Sequence, residues 1–95
     1  FIPSAFSPNN DGINDFFSIN AQFPNVSMVR KFQIFDRWGN MLFENKNFEP
    51  GDETDGWNGE FRGKPLDIGI YTYLAEILFL NGETDIFGGD VTLLR

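Results

Sequence analysis

From Met28 to Asp36 apolar and polar side chains alternate, with Phe32 and Ile34 on one face and Lys31 and Gln33 on the other. Successive side chains of an extended chain point to opposite faces, so a period of two predicts a half-buried β-strand. The run breaks at Arg37-Trp38-Gly39-Asn40 and resumes at Met41-Leu42-Phe43-Glu44, which predicts a hairpin. Gly69 to Leu80 is the longest strand candidate, rich in β-branched and aromatic residues. Tyr71, Tyr73, Ile77 and Phe79 share one of its faces and are assigned to the core. Asn81-Gly82 is the strongest short hairpin signal in the chain. It returns the chain through Glu83 to Phe87 and Asp90 to Leu94, with a bulge or bend expected at Gly88-Gly89. Phe1 to Phe6 carries Pro3 and suits an edge strand, and Phe16 to Ile19 is a short apolar run. Asn45 to Lys64 reads mostly as loop, with a brief strand around Trp57 or Phe61. A helical period fits nowhere for long.

About seven short strands with glycine-rich turns and no crossover helices predict an all-β fold, an immunoglobulin-like antiparallel β-sandwich. The Cys, Trp, Cys spacing of antibody domains is absent, so only the architecture is implied, and strand order does not follow. The chain of 95 residues makes one domain, 1–95, and its opening at Phe1-Ile2-Pro3 reads as a cut from the end of something longer.

Composition then narrows the chemistry. Twelve Phe, two Trp and two Tyr give an aromatic core, which offsets the poor surface-to-volume ratio of so small a chain. With no Cys there is neither a disulfide framework nor a thiolate metal site. The lack of His removes the commonest general base and leaves only oxygen ligands for a metal. Fourteen acidic against seven basic residues, a net charge of −7, argue against nucleic acid as a partner. No apolar stretch approaches the length that a membrane-spanning helix needs.

Ser7-Pro8-Asn9-Asn10-Asp11-Gly12-Ile13-Asn14-Asp15 packs short amide and carboxylate side chains around a glycine. With Gly12 at the sixth place of a calcium loop, the ligands are Ser7, Asn9, Asp11, the Ile13 carbonyl and Asp15. Position twelve falls on Ser18 rather than glutamate, so the loop is not an EF-hand. An Asx-turn loop uses the same residues, and the two readings stand side by side. Gly51 to Gly56 reads as a solvated acidic loop rather than a second cation site. Gly63-Lys64-Pro65-Leu66 reads as a turn, since no helix follows to make it a phosphate loop. Arg37 and Trp38 are residue types that dominate binding hot spots; the reading set against a recognition patch is a hairpin turn whose Trp packs on the core and whose Arg stacks on it or pairs with an acid. Arg95 ends the last strand with a cationic tail and is a third candidate for partner binding.

These motifs in their order carry a resemblance. Phe6 to Phe17, Phe32 to Glu44, Trp57-Asn58-Gly59, Gly63 to Leu66, Gly69 to Tyr73 and Gly89 to Arg95 resemble the gliding-motility-associated C-terminal domain. That family is the type B sorting domain of the Bacteroidetes type IX secretion system. The resemblance implies a domain that directs an upstream cargo through the periplasm and outer membrane to the cell surface or medium. It implies protein partners, the translocon and a PorP/SprF-like outer-membrane protein, with no small-molecule substrate and no catalysis. Two departures are visible: Asn10 stands where many members have glycine, and Trp57-Asn58-Gly59 replaces the commoner Trp-Asp-Gly. A calcium-stabilised adhesion or carbohydrate-binding module would share the sandwich and the acidity. An enzyme, for instance a glycosidase using two carboxylates, is a third reading, disfavoured because so small a sandwich has little room for a cleft and no His or Cys to serve as base or nucleophile.

Overall fold

The computed structural model describes residues 5–8, 15–19 and 25–94. They form β1 (Ala5–Phe6), β2 (Val26–Phe35), β3 (Met41–Phe48), β4 (Glu60–Phe61), β5 (Lys64–Pro65), β6 (Gly69–Phe79) and β7 (Thr84–Leu93), with a short 3-10 turn at Glu53–Asp55. Five strands make one sheet in the order β1-β7-β6-β2-β3, and β4 pairs with β5 in a separate ribbon. The fold is all-β with about seven strands, as the alternation predicts. Pairing is antiparallel except at one edge, where β1 runs parallel to β7.

One face of the sheet is buried. Val29, Phe32 and Ile34 from β2, Ala75 and Ile77 from β6, and Val91 and Leu93 from β7 form it, with Phe6 at its edge. A strict period of two would send Val29 and Phe32 to opposite faces. The β2–β6 register shifts between Val29 and Lys31, so that Val29 pairs with Ile77 and Lys31 with Glu76. The extra residue reverses the parity and turns both side chains inward.

The layer over that face is thinner than a full sheet. Phe17 and Trp57 exchange two backbone hydrogen bonds of 2.8 and 2.9 Å, and both side chains are fully buried with Ile19. Phe16 to Ile19 is thus reduced from a strand to one bridge. Gly56 permits it, because a Cβ there would run into the Phe17 carbonyl and sit 2.7 Å from the Ser18 Cβ. The rings interlock: Phe17 lies 5.4 Å from Phe32 and 5.3 Å from Tyr73, and Trp57 lies 5.3 Å from Phe6 and 5.2 Å from Tyr71. Such offset and edge-on contacts each add to the area they bury.

Two strands run further than their alternation suggests. β3 continues past Glu44 to Phe48, carried by pairs such as Asn45 with Phe32 and Lys46 with Lys31. β7 is continuous through Gly88-Gly89, which pair in register with Leu74 and Tyr73, so the expected bulge is absent. The glycines answer a neighbour instead of a bend: a Cβ on Gly89 would stand 3.1 Å from the Tyr73 ring.

Candidate docking end of the sheet

The chain turns from β2 to β3 through a three-residue loop, Arg37 to Gly39. Asp36 N–H donates to the Asn40 carbonyl at 3.0 Å, and Gly39 N–H to the Asp36 carbonyl at 3.1 Å. Gly39 has φ of 83°, the left-handed conformation that closes such loops. The Asp36 carboxylate braces the turn. One oxygen accepts from Trp38 N–H and Asn40 N–H, each at 2.9 Å, and the other from Asn40 Nδ2 at 2.9 Å. Hydrogen bonds from the Asn40 side chain first, then from backbone N–H groups of Asn40, Trp38 and Gly39, hold this carboxyl below the ordinary aspartate value.

The braced turn presents Trp38 to solvent at 76 % exposure, with the Arg37 guanidinium 5.0 Å from its ring centroid. The turn reading holds in part: the Arg stacks on the Trp, but the Trp does not pack on the core, where Trp57 is the buried tryptophan. Beside the stack lies a hollow of about 240 Å³ lined by Asp36, Arg37, Trp38, Leu66, Ile68 and Ile70, among others. Its floor is fixed by Tyr71, whose hydroxyl donates to the Asp67 carbonyl at 2.6 Å.

Other signature segments arrive at the same end. Phe35 pairs with Met41 and Thr72, Ile70 with Thr92 and Gly69 with Leu93, so these residues share one terminus of the sheet. Leu94 N–H donates to the Phe6 carbonyl at 2.9 Å, which ties the last described residue there. Gly59, at φ 82°, packs against Leu93 and Pro8, where a Cβ would stand 3.1 and 3.2 Å from them. Leu66 N–H donates to the Gly59 carbonyl at 3.0 Å. Asn58 replaces a carboxylate with an amide yet keeps the acceptor, its Oδ1 receiving Glu60 N–H at 3.1 Å. Of the seven large apolar residues exposed among the described residues, five, Trp38, Met41, Ile68, Ile70 and Leu94, belong to this end. The exposed apolar side chains are thus concentrated at one end of the sheet.

The candidate calcium ligands are only partly visible. Asn9, Asp11 and Ile13 lie outside the described residues, as does Arg95; Ser7 and Asp15 are half-buried. Ser7 follows Phe6 and Asp15 precedes Phe17 by two positions, and those two rings are 6.0 Å apart. Among the described residues no three carboxylates gather as a metal cluster. Gly51 to Thr54 is exposed and ordered by its own side chains, with Asp52 accepting from Thr54 N–H and Oγ1 at 3.0 and 2.6 Å, while Asp55 is half-buried and Gly56 buried.

Sequence reading missed Met41, Ile68, Ile70 and Leu94 because single apolar residues at strand ends carry no periodic signal. Asp36 was legible in principle, since an aspartate two residues before a turn position is an Asx-turn cue. Residues 1–93 match the CHU_C type IX secretion signal domain family. The chain belongs to that family. No curated protein matches it. As a type IX secretion signal domain it acts as a sorting signal for export from the cell, and the family is not an enzymatic one. No helix among the described residues is long and apolar enough to cross a membrane.

Proposed function

We propose that the end of the sheet bearing Arg37 and Trp38 is the face by which the outer-membrane translocon and a PorP/SprF-like partner recognise the domain. Its cargo, fused upstream, is thereby delivered to the cell surface or medium. The observation that carries this reading is Trp38: a large apolar ring held in solvent on a rigid turn, with a cation over it and a hollow beside it. A monomeric domain gains nothing from that exposure, whereas a partner gains a flat apolar platform and guanidinium N–H groups for a carboxylate. Arg95 follows the anchored Leu94 in sequence and joins the same proposal. Fusing the domain to a fluorescent cargo with a signal peptide, in a host with the cognate translocon, should place the cargo outside the cell. Cargo retained in the periplasm with the partner protein co-expressed would overturn the reading.

Calcium binding by Ser7, Asn9, Asp11, the Ile13 carbonyl and Asp15 is a second part of the proposal. The donor set is all oxygen, which suits a hard cation, and the Phe6–Phe17 contact holds the two ends of the segment together. A ligand bound only by the folded state raises the melting temperature with its concentration. Calcium should therefore raise it in the parent chain, and Asp11→Ala and Asp15→Ala should each abolish the rise. Identical melting curves with calcium and with chelator would reject the site.

A further inference from the structure

The ribbon of β4 and β5 closes through a turn that its residues do not favour. Phe61 pairs with Lys64, so Arg62 and Gly63 alone join the two strands. A two-residue loop of this kind with positive φ at both places is usually filled by Asn-Gly or Gly-Gly. Here Gly63 has φ of 79° and Arg62 has φ of 54°. The other non-glycine residues at positive φ among the described residues are Asn25 and Asn47. Asparagine visits that region readily because its short amide bonds to nearby backbone, whereas arginine carries the full steric cost of its Cβ. The chain thus gives up some stability to hold an arginine at the tip.

The turn sends its cations to one side. Residues directly opposite in a ladder share a face, which puts Phe61 and Lys64 on one side of the ribbon and Glu60 and Pro65 on the other. The Arg62 guanidinium lies 5.0 Å from the Phe61 ring centroid and so joins Lys64 on that side. Arg62, Gly63 and Lys64 are exposed, and a Cβ on Gly63 would meet no described residue within 4 Å. In the large sheet Arg30 is held 3.7 Å from Glu76, and Lys46 3.8 Å from Glu44. Arg62 is supported by a ring, which steadies the guanidinium without offering it a carboxylate.

We infer that the Arg62–Lys64 turn is a docking finger for a short acidic segment of a partner protein. The guanidinium presents a planar fork of N–H donors that can grip a carboxylate by two bonds, and the Lys64 ammonium adds a second, less directional charge. The rest of the molecule limits how long the occupant is. Fourteen acidic against seven basic residues give a net charge of −7, a field that repels an extended polyanion such as nucleic acid or an anionic membrane surface. A few carboxylates on an extended peptide match the two cations of the finger without having to cover the acidic body.

The test titrates the isotope-labelled chain at low salt with acetylated and amidated Gly-Glu-Glu-Gly-Glu-Gly, with the same peptide carrying Lys for Glu, and with phosphatidylglycerol vesicles. The Glu peptide should shift the amide signals of Phe61 to Lys64 and the Arg62 Nε signal, and high salt should abolish the shifts. The Lys peptide should leave those signals in place, and the vesicles should not bind. Arg62→Asn eases the backbone and gives up the ring contact, two opposed effects on stability. It should weaken the Glu peptide at least about fivefold and keep the melting temperature within about 3 °C of the parent. Lys64→Gln, on the same side, should weaken it less, and Glu60→Gln, on the other side, should not weaken it. Unchanged affinity in Arg62→Asn, or a fall in its melting temperature well beyond that range, would overturn the inference by making Arg62 a part of the turn alone. Shifts centred elsewhere, no shifts at all, or tighter binding to the vesicles than to the Glu peptide would overturn it too. None of these results bears on whether the Trp38 end is read during export.

Discussion

The two hairpins of the large sheet share one backbone and differ in everything they display. In each, the first residue's N–H donates to the carbonyl four positions on, at 3.0 Å for Asp36 to Asn40 and 2.8 Å for Phe79 to Glu83. In each, a left-handed glycine closes the loop, Gly39 at 83° and Gly82 at 87°. Both are braced by an Asx side chain, Asp36 on Trp38 N–H and Asn81 on Glu83 N–H. The loop at Leu80 exposes one leucine beside a hollow of about 440 Å³ lined by Asn25, Phe79, Leu80, Asn81 and Glu83. The loop at Trp38 exposes a stacked Arg–Trp pair beside a hollow of about 240 Å³. The larger hollow is the chemically poorer one. Turn geometry is thus generic scaffolding, and the two ends differ in what the turn holds up and what surrounds it, which is where the proposed recognition would separate them.

The strongest way to sharpen that contrast is to remove the support beneath each end. Trp57 is fully buried under the signature end, between Phe6 and Tyr71, with its Nε1 donating to the Glu60 carbonyl at 3.0 Å. Trp57→Ala should destabilise the domain by about 3–5 kcal/mol in denaturant titration. Phe79, half-buried against Phe87 at the other end, should cost under about 2 kcal/mol as Phe79→Ala. Equal costs would show that the two ends are packed alike.

Next in size are the paired glycines. A Cβ on either Gly39 or Gly82 meets nothing within 4 Å, so substitution is felt by the backbone alone. Gly39→Ala and Gly82→Ala should each cost about 1–2 kcal/mol, the penalty of the left-handed region for an L-residue. A clear difference between them would break the claim that the loops are structural twins.

How far the sequence discloses this arrangement depends on the kind of signal. The β2, β6 and β7 strands, the two turns and the aromatic core are legible because alternation and Gly/Asn chemistry are local. Asn81-Gly82 reads as a two-residue turn, yet it occupies the second and third places of a three-residue loop, since Leu80 lies outside the ladder. Non-local facts escape. The parity flip at Val29, the parallel seating of β1 on β7 and the gathering of Ile68, Ile70, Met41 and Leu94 at one end arise from pairings between distant segments. Arg37 and Trp38 were legible as a candidate pair by type, but only the turn's bracing shows which way the ring points.

A smaller effect separates the two braces. Asp36 is ionised and hydrogen-bonded in the fold, and its carboxyl lies below the ordinary value of 3.8, whereas Asn81 does not titrate. A depressed folded-state value contributes stability above the unfolded value and loses it as pH falls through the folded one. The Trp38 turn should hold its amide chemical shifts from neutral pH down to about pH 4 and loosen below 3.8. The Leu80 turn should show no such step, and Asp36→Asn should remove it from the first. Matching acid transitions in both turns would refute the assignment.

The central claim is tested most directly by export of a fluorescent cargo fused to the domain, comparing Trp38→Ala with Leu80→Ala in the cognate secretion host. Both side chains are exposed, at 76 % and 71 %, so both variants should stay within about 0.5 kcal/mol of the parent in stability. The account predicts that Trp38→Ala lowers cargo outside the cell at least tenfold while Leu80→Ala leaves it unchanged. Equal export by the two variants would contradict it.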